Sequence, residues 1–145
     1  MPFTRRDIFA SIPFALLATS LARAQAGQRL SSAVFPFAGL PIRKADGNEF
    51  RNIVNSTTPT GERVEIHETM LAPGKMPHPA HQHAHSEFWL IREGEVELTI
   101  NGKTQRIGSG SAAFAAANEL HSIKNVGTSP ASYFVVAIGP IPNAA

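Results

Sequence analysis

After residue 62 the chain switches repeatedly between polar and apolar side chains with a period of two, the period of a strand with one buried face. Residues 63–70 show it with Val64 and Ile66 set against Glu65 and His67, and residues 95–100 show it most cleanly, through Val96, Leu98 and Ile100. Further short runs read as strands at 87–91, 103–107, 112–115, 121–126 and 132–138, the last apolar enough to be buried on both faces. Asn101-Gly102 falls between two of these runs; both residues tolerate positive φ, so the pair predicts a tight type I′ hairpin. Many short strands about ten residues apart predict an all-β domain, a sandwich or a barrel. The stretch 27–62 is less regular. Pro36, Gly39, Pro41 and Gly47 interrupt short apolar pieces such as Val34-Phe35 and Ile53-Val54, which reads as a partly extended lead-in able to supply outer strands. Residues 57–61 read as a turn.

Composition refines this only slightly. A chain of 145 residues with 43% hydrophobic content has room for one domain and one core, and its eleven Gly and eleven Pro suit a fold rich in turns. The formal charge of +2 arises at the front of the chain. Three of the thirteen basic residues (Arg5, Arg6, Arg23) and one of the eleven acidic residues (Asp7) precede residue 27, leaving ten of each sign. With no basic run in that remainder, nucleic acid is excluded as an expected partner.

The first 26 residues read as an address. Arg5-Arg6 precedes a modestly apolar stretch from about Ile8 to Leu21, diluted by Ser11, Pro13, Thr19 and Ser20 and too short and polar to span a bilayer. Ala24-Gln25-Ala26 then offers the small-x-small pattern of a signal-peptidase site. This segment resembles a twin-arginine (Tat) signal. That resemblance implies recognition by the Tat translocase, cleavage after Ala26 and a periplasmic or secreted mature protein. The absence of cysteine removes disulfides and a lipid-anchored cysteine, so no membrane anchor is expected.

Candidate chemistry is concentrated in histidines, five of which stand at 78, 81, 83, 85 and 121. In an extended segment, residues two and six apart face the same way, so His81, His83 and Glu87 share one wall if 81–87 is extended throughout. A fourth donor has to come from another strand, and His121 is the only histidine further along the chain. Imidazole nitrogen with carboxylate oxygen suits Mn, Fe, Co, Ni or Zn and disfavours Cu(I) and all-oxygen Ca sites. A solvated His-rich loop would carry the first four histidines equally well but would give no reason for Glu87 and His121.

The spacings also resemble the two motifs of the cupin superfamily. Gly74, six residues, His81-Gln82-His83, three residues, Glu87, six residues and Gly94 match the first motif with one extra residue before His81. Gly110, His121 and Asn125 match the second, with Ala116 in place of its Pro and Asn118 in place of its Gly. Asn accepts the left-handed conformation that such a turn needs.

The resemblance covers residues 63–138. It implies a single-domain cupin barrel, the double-stranded β-helix or jelly roll, over 63–140. It further implies one divalent metal ion on His81, His83, Glu87 and His121, with Gly94 and Gly110 as turn residues and Asn125 beside the last ligand strand. His85 and His78 are expected at the second shell or mouth and His67 on the polar face of its strand. No general base stands out beyond the ligand set, which leaves Glu87 as the one candidate catalytic group. Mn or Fe is favoured, with Ni, Co or Zn as alternatives.

Four protein ligands on a six-coordinate ion leave two positions for a small oxygenated molecule or dioxygen. The expectation is therefore a metal-dependent oxidoreductase of the dioxygenase type. Two readings stay beside it: a lyase or isomerase on the same site, and a non-catalytic binder of metal or small ligand. The chain is half the size of a two-barrel oxalate decarboxylase, has no Cys for a thiol dioxygenase cross-link, and carries no DNA-binding domain. A homodimer through the lead-in strands is also implied by the resemblance.

Overall fold

The computed structural model describes residues 29–140, so the expected signal segment lies outside the described residues. Nine strands follow in order: β1 (Ile42–Ala45), β2 (Asn48–Thr57), β3 (Arg63–Leu71), β4 (Ser86–Glu93), β5 (Glu95–Ile100), β6 (Lys103–Gly108), β7 (Ala112–Ala115), β8 (His121–Asn125) and β9 (Ala131–Ile138). A 3-10 turn, Phe37–Gly39, precedes them. No helix among the described residues is long and apolar enough to cross a membrane.

Six strands pair in the order β1-β2-β3-β9-β4-β7 and three in the order β6-β5-β8, every pair antiparallel. The β5–β6 hairpin turns on Asn101 and Gly102 at φ 47° and 74°, as that dipeptide predicts. Asn118 likewise adopts φ 64° in the second-motif turn. The core lies between the two sheets: Trp89 and Ile91 of β4 and Tyr133 and Val135 of β9 meet Val96 and Leu98 of β5 and Ile123 of β8.

One sequence expectation is sharpened and one needs correction. The lead-in supplies outer strands as a complete hairpin joined to the main sheet, with β2 ten residues long and paired along β3. Its turn is Asp46-Gly47 at φ 51° and 82°, the same kind of turn as Asn101-Gly102. A bulge between Asn52 and Val54 shifts the phase of β2, which hides its alternation in the sequence. Strand β9 is not buried on both faces: Tyr133, Val135 and Ala137 are enclosed, whereas Ile138 is exposed and Phe134 and Val136 are half-buried. The outer face of the sheet also leaves Phe88, Leu90 and Phe114 exposed.

Outside the barrel, Glu68 is almost wholly buried on β3 and bonds Arg51 at 2.8 Å and Arg92 at 3.4 Å. The Phe37 ring lies near both guanidinium groups, at 4.6 and 4.8 Å, and so fastens the lead-in to the sheet.

Candidate metal centre

The segment carrying the first histidines is not extended throughout. Residues 72–85 form turns and bends between β3 and β4, and Pro77 and Pro79 remove two of the backbone donors a strand would need. A single bridge replaces the strand: His81 N–H donates to the His121 carbonyl at 3.0 Å, and His121 N–H returns a bond to His81 at 2.9 Å. That bridge brings His81 against the start of β8. The 116–119 turn completes the frame, because Asn118 N–H donates to the His83 carbonyl at 2.7 Å and Ala117 N–H to Ser86 Oγ at 3.1 Å. Glu119 closes the turn by accepting the Ala116 N–H at 3.2 Å.

The side chains converge accordingly. Nitrogen atoms of His81, His83 and His121 lie within 4.8 Å of one another, and so do donor atoms of His83, His85 and Glu87. Glu87 joins the two groups, with Oε1 3.3 Å from His83 Nε2 and Oε2 3.4 Å from His121 Nε2. His85 stacks on His83, ring centroids 3.5 Å apart, and its Nε2 is 3.6 Å from Glu87. His78 packs edge-on to His81 at 4.1 Å and lines the cavity mouth. Asn125 sits at the other end of β8 from His121. There its buried amide donates to the carbonyls of Leu71 and Ser129 and accepts from Gly127 N–H, stapling β3 to the loop before β9.

Tautomers follow from these partners. A carbonyl only accepts, so His83 Nδ1 must donate to the His85 carbonyl (2.9 Å) and His121 Nδ1 to the Glu119 carbonyl (2.8 Å). Each ring then directs an Nε2 lone pair inward, and both Nε2 atoms are buried with no hydrogen bond. His81 Nδ1 is buried and unpartnered as well. Two buried acceptors and a third unpartnered imidazole nitrogen beside a carboxylate fit a divalent cation, which would satisfy them together. Burial, and then the neighbouring His78, His121 and His83, push the His81 imidazole down to about 4, so it is neutral and ready to ligate at physiological pH.

A cavity of about 490 Å³ opens over this centre, and His81, Glu87, Trp89 and His121 form one end of it. Its other wall contains His67, which is not on a solvent face. The register pairs His67 with Val135, and Val135 with Trp89, so all three point inward. Its Nδ1 lies 3.2 Å from Glu65 Oε1. The alternation of β3 is thus reversed from the usual reading, its polar residues facing the cavity. The Glu65-x-His67 spacing was the available signal, since residues two apart share a face. Arg43 on β1 also reaches the cavity wall, and no pattern in the lead-in marks it.

Comparison with known proteins agrees with this architecture. The family model described as "Cupin domain" matches residues 67–137. The mannose-1-phosphate guanylyltransferase ManC of Salmonella typhimurium is 25% identical over 79 residues, 54% of this chain, which spans only 16% of that protein. Among solved structures, a predicted oxalate decarboxylase from Thermotoga maritima superposes with a TM-score of 0.63 at 22% identity, covering 73% of this chain and 98% of the other. KdgF from Halomonas sp. gives 0.64 at 16% identity over 78% and 97% of the two chains. An RmlC-like cupin from Shewanella frigidimarina gives 0.64 at 16% identity over 77% and 95%. Residues 67–137 are therefore a cupin domain, and the chain carries the double-stranded β-helix fold of the solved cupins it superposes on.

Proposed function

We propose that this protein is an exported, metal-dependent oxidoreductase that acts on a small oxygenated organic molecule held in the barrel cavity. The observation that carries the reading is the set of buried, unpartnered nitrogens on His81, His83 and His121 beside the Glu87 carboxylate. His81, His83, Glu87 and His121 would hold one divalent ion, with Mn(II) or Fe(II) favoured. Such an ion supplies Lewis acidity and a binding position for dioxygen or a substrate oxygen. The protein's own contributions are separate. Backbone acceptors fix two imidazole tautomers, and Trp89 packs edge-on to His121 at 5.2 Å. Glu87 is the candidate proton acceptor because it alone among these ligands is anionic.

A lyase on the same site is the second reading, favoured by the likeness to a protein described as a predicted oxalate decarboxylase that is of single-barrel size. A non-catalytic binder is the third. Metal analysis of the exported protein, followed by oxygen uptake across catechols, β-diketones and α-hydroxy acids, separates them. Uptake with one class supports the oxidoreductase; carbon dioxide release without uptake supports the lyase; saturable binding without turnover leaves a binding protein. Export belongs to the same proposal: residues 1–26 should carry a folded reporter across the inner membrane, and Lys at both Arg5 and Arg6 should stop it. Folding before export would let cytoplasmic supply choose Mn or Fe. A homodimer completes the reading, tested by light scattering in solution.

A further inference from the structure

The cavity has two unlike ends. At the β4–β8 end stand the histidines and Glu87; at the β1–β3 end stand Arg43, Asn52, Glu65 and His67. Between Glu65 and Glu87 the register places Ala137, whose small side chain leaves open the roughly 10 Å that separates β3 from β4, two strand spacings away. Three residues of fixed charge line the cavity: Arg43, Glu65 and Glu87. Both carboxylates already face histidines, Glu65 on His67 and Glu87 on His83 and His121. Arg43 has no such partner.

Its isolation is exceptional. Six arginines lie among the described residues, and five bond an oxygen: Arg29 to the carbonyls of Thr58 and Pro59, Arg51 to Glu49 and Glu68, Arg63 to Asn55, Arg92 to Glu68 and Glu93, and Arg106 to Glu95. Among the described residues Arg43 meets only the Phe50 ring, at 5.5 Å. Glu49, on the facing strand of its hairpin, is taken by Lys44 at 2.7 Å and Arg51 at 3.0 Å. A guanidinium presents a planar fork that binds carboxylate through two parallel bonds, and here that fork is unspent on the wall of a cavity of ligand size.

We propose that the cavity binds a small organic acid with two separated functions: an oxygen-bearing end at the histidine–Glu87 centre and a distal carboxylate on Arg43. This rests on the metal-site reading above and narrows its substrate class. Recognition is non-covalent, and Asn52 and His67 offer hydrogen bonds along the path between the two ends.

The test uses protein loaded with Co(II), whose visible spectrum reports ligands entering at the ion. Pyruvate and 2-oxobutyrate are titrated against oxaloacetate, 2-oxoglutarate and 2-oxoadipate, which share the chelating 2-oxo acid end and add a carboxylate at increasing reach. At least one of the three should bind about tenfold tighter than the monocarboxylates, as expected of one charge-assisted pair. Arg43→Gln should erase that preference while leaving pyruvate affinity and Co(II) content unchanged. Arg43→Lys should restore part of it, and Lys124→Gln, on the outer side of β8, should change nothing. Wild-type protein that binds pyruvate with no preference for a distal carboxylate, or a preference that survives Arg43→Gln, overturns the Arg43 proposal alone. A spectrum unmoved by every acid overturns both this proposal and the substrate-binding reading of the metal centre.

Discussion

Among the described glycines, Gly94 leaves the least room for a side chain. It links β4 to β5 at φ +81°, and a Cβ built there would lie 2.7 Å from both Cα and Cβ of Ala131 and 2.9 Å from the Pro130 carbonyl oxygen. Two costs therefore add in Gly94→Ala. A left-handed conformation with a Cβ costs about 1–2 kcal/mol. Forcing an extra carbon into packed backbone costs about 1–3 kcal/mol more, because Ala131 is fully enclosed and its main chain cannot rotate away as a flexible side chain would. The expected loss is about 2–5 kcal/mol.

Gly102→Ala and Gly110→Ala provide the reference, since both glycines also have positive φ but no atom within 4 Å of the built Cβ. Each should lose only the conformational part, about 1–2 kcal/mol. Urea unfolding followed through Trp89, the single tryptophan and a core residue, measures all three with one probe, provided the m-values agree. A Gly94→Ala loss within about 0.5 kcal/mol of the Gly102→Ala loss, a margin typical of neutral changes, would refute the reasoning.

The remaining predictions concern the site and its frame. Ala at His81, His83, Glu87 or His121 should each sharply lower bound metal measured by plasma emission, whereas His67→Ala should not, and His85→Ala and His78→Ala should cost little. Asn125→Ala removes three hydrogen bonds, one buried and two part-buried, and should cost about 2–4 kcal/mol in urea, with unchanged metal content in the folded fraction. Metal-free protein should lose stability as pH falls from about 6.5 towards 4. In that window the unfolded chain protonates His81 and the folded one, with its value pushed down to about 4, does not. His81→Gln should flatten that slope in urea midpoints measured across the range.

Much of the barrel was legible because its strands alternate cleanly and its turns use residues that demand positive φ, as in β5, Asn101-Gly102 and β6. The β1–β2 hairpin was not, although Asp46-Gly47 carries the same turn chemistry: β2 mixes polar and apolar residues and changes phase at its bulge. In β3 the period was visible but its polarity misled, since the usual assignment sends Val64 and Ile66 inward and the cavity requires Glu65, His67 and Thr69 there. The histidine cluster was legible as composition and spacing. Its closure by His121 was legible only through the motif resemblance, because His81 reaches His121 through one isolated bridge rather than through the parity of a strand. Arg43 was invisible, since what distinguishes it is the set of partners its neighbours have already taken.

Among the described residues, the two edges of the large sheet, β1 and β7, are protected unequally. Strand β1 is short and presents Arg43 and Lys44, charges that discourage another chain from adding to its open backbone. Strand β7 is equally short but reads Ala112-Ala113-Phe114-Ala115, uncharged, with the exposed Phe114 ring 4.7 Å from the exposed Phe88. Self-association in concentrated or heated samples would therefore begin at β7, and a single lysine placed at the exposed Ala112 is the least disruptive way to raise solubility without touching the cavity.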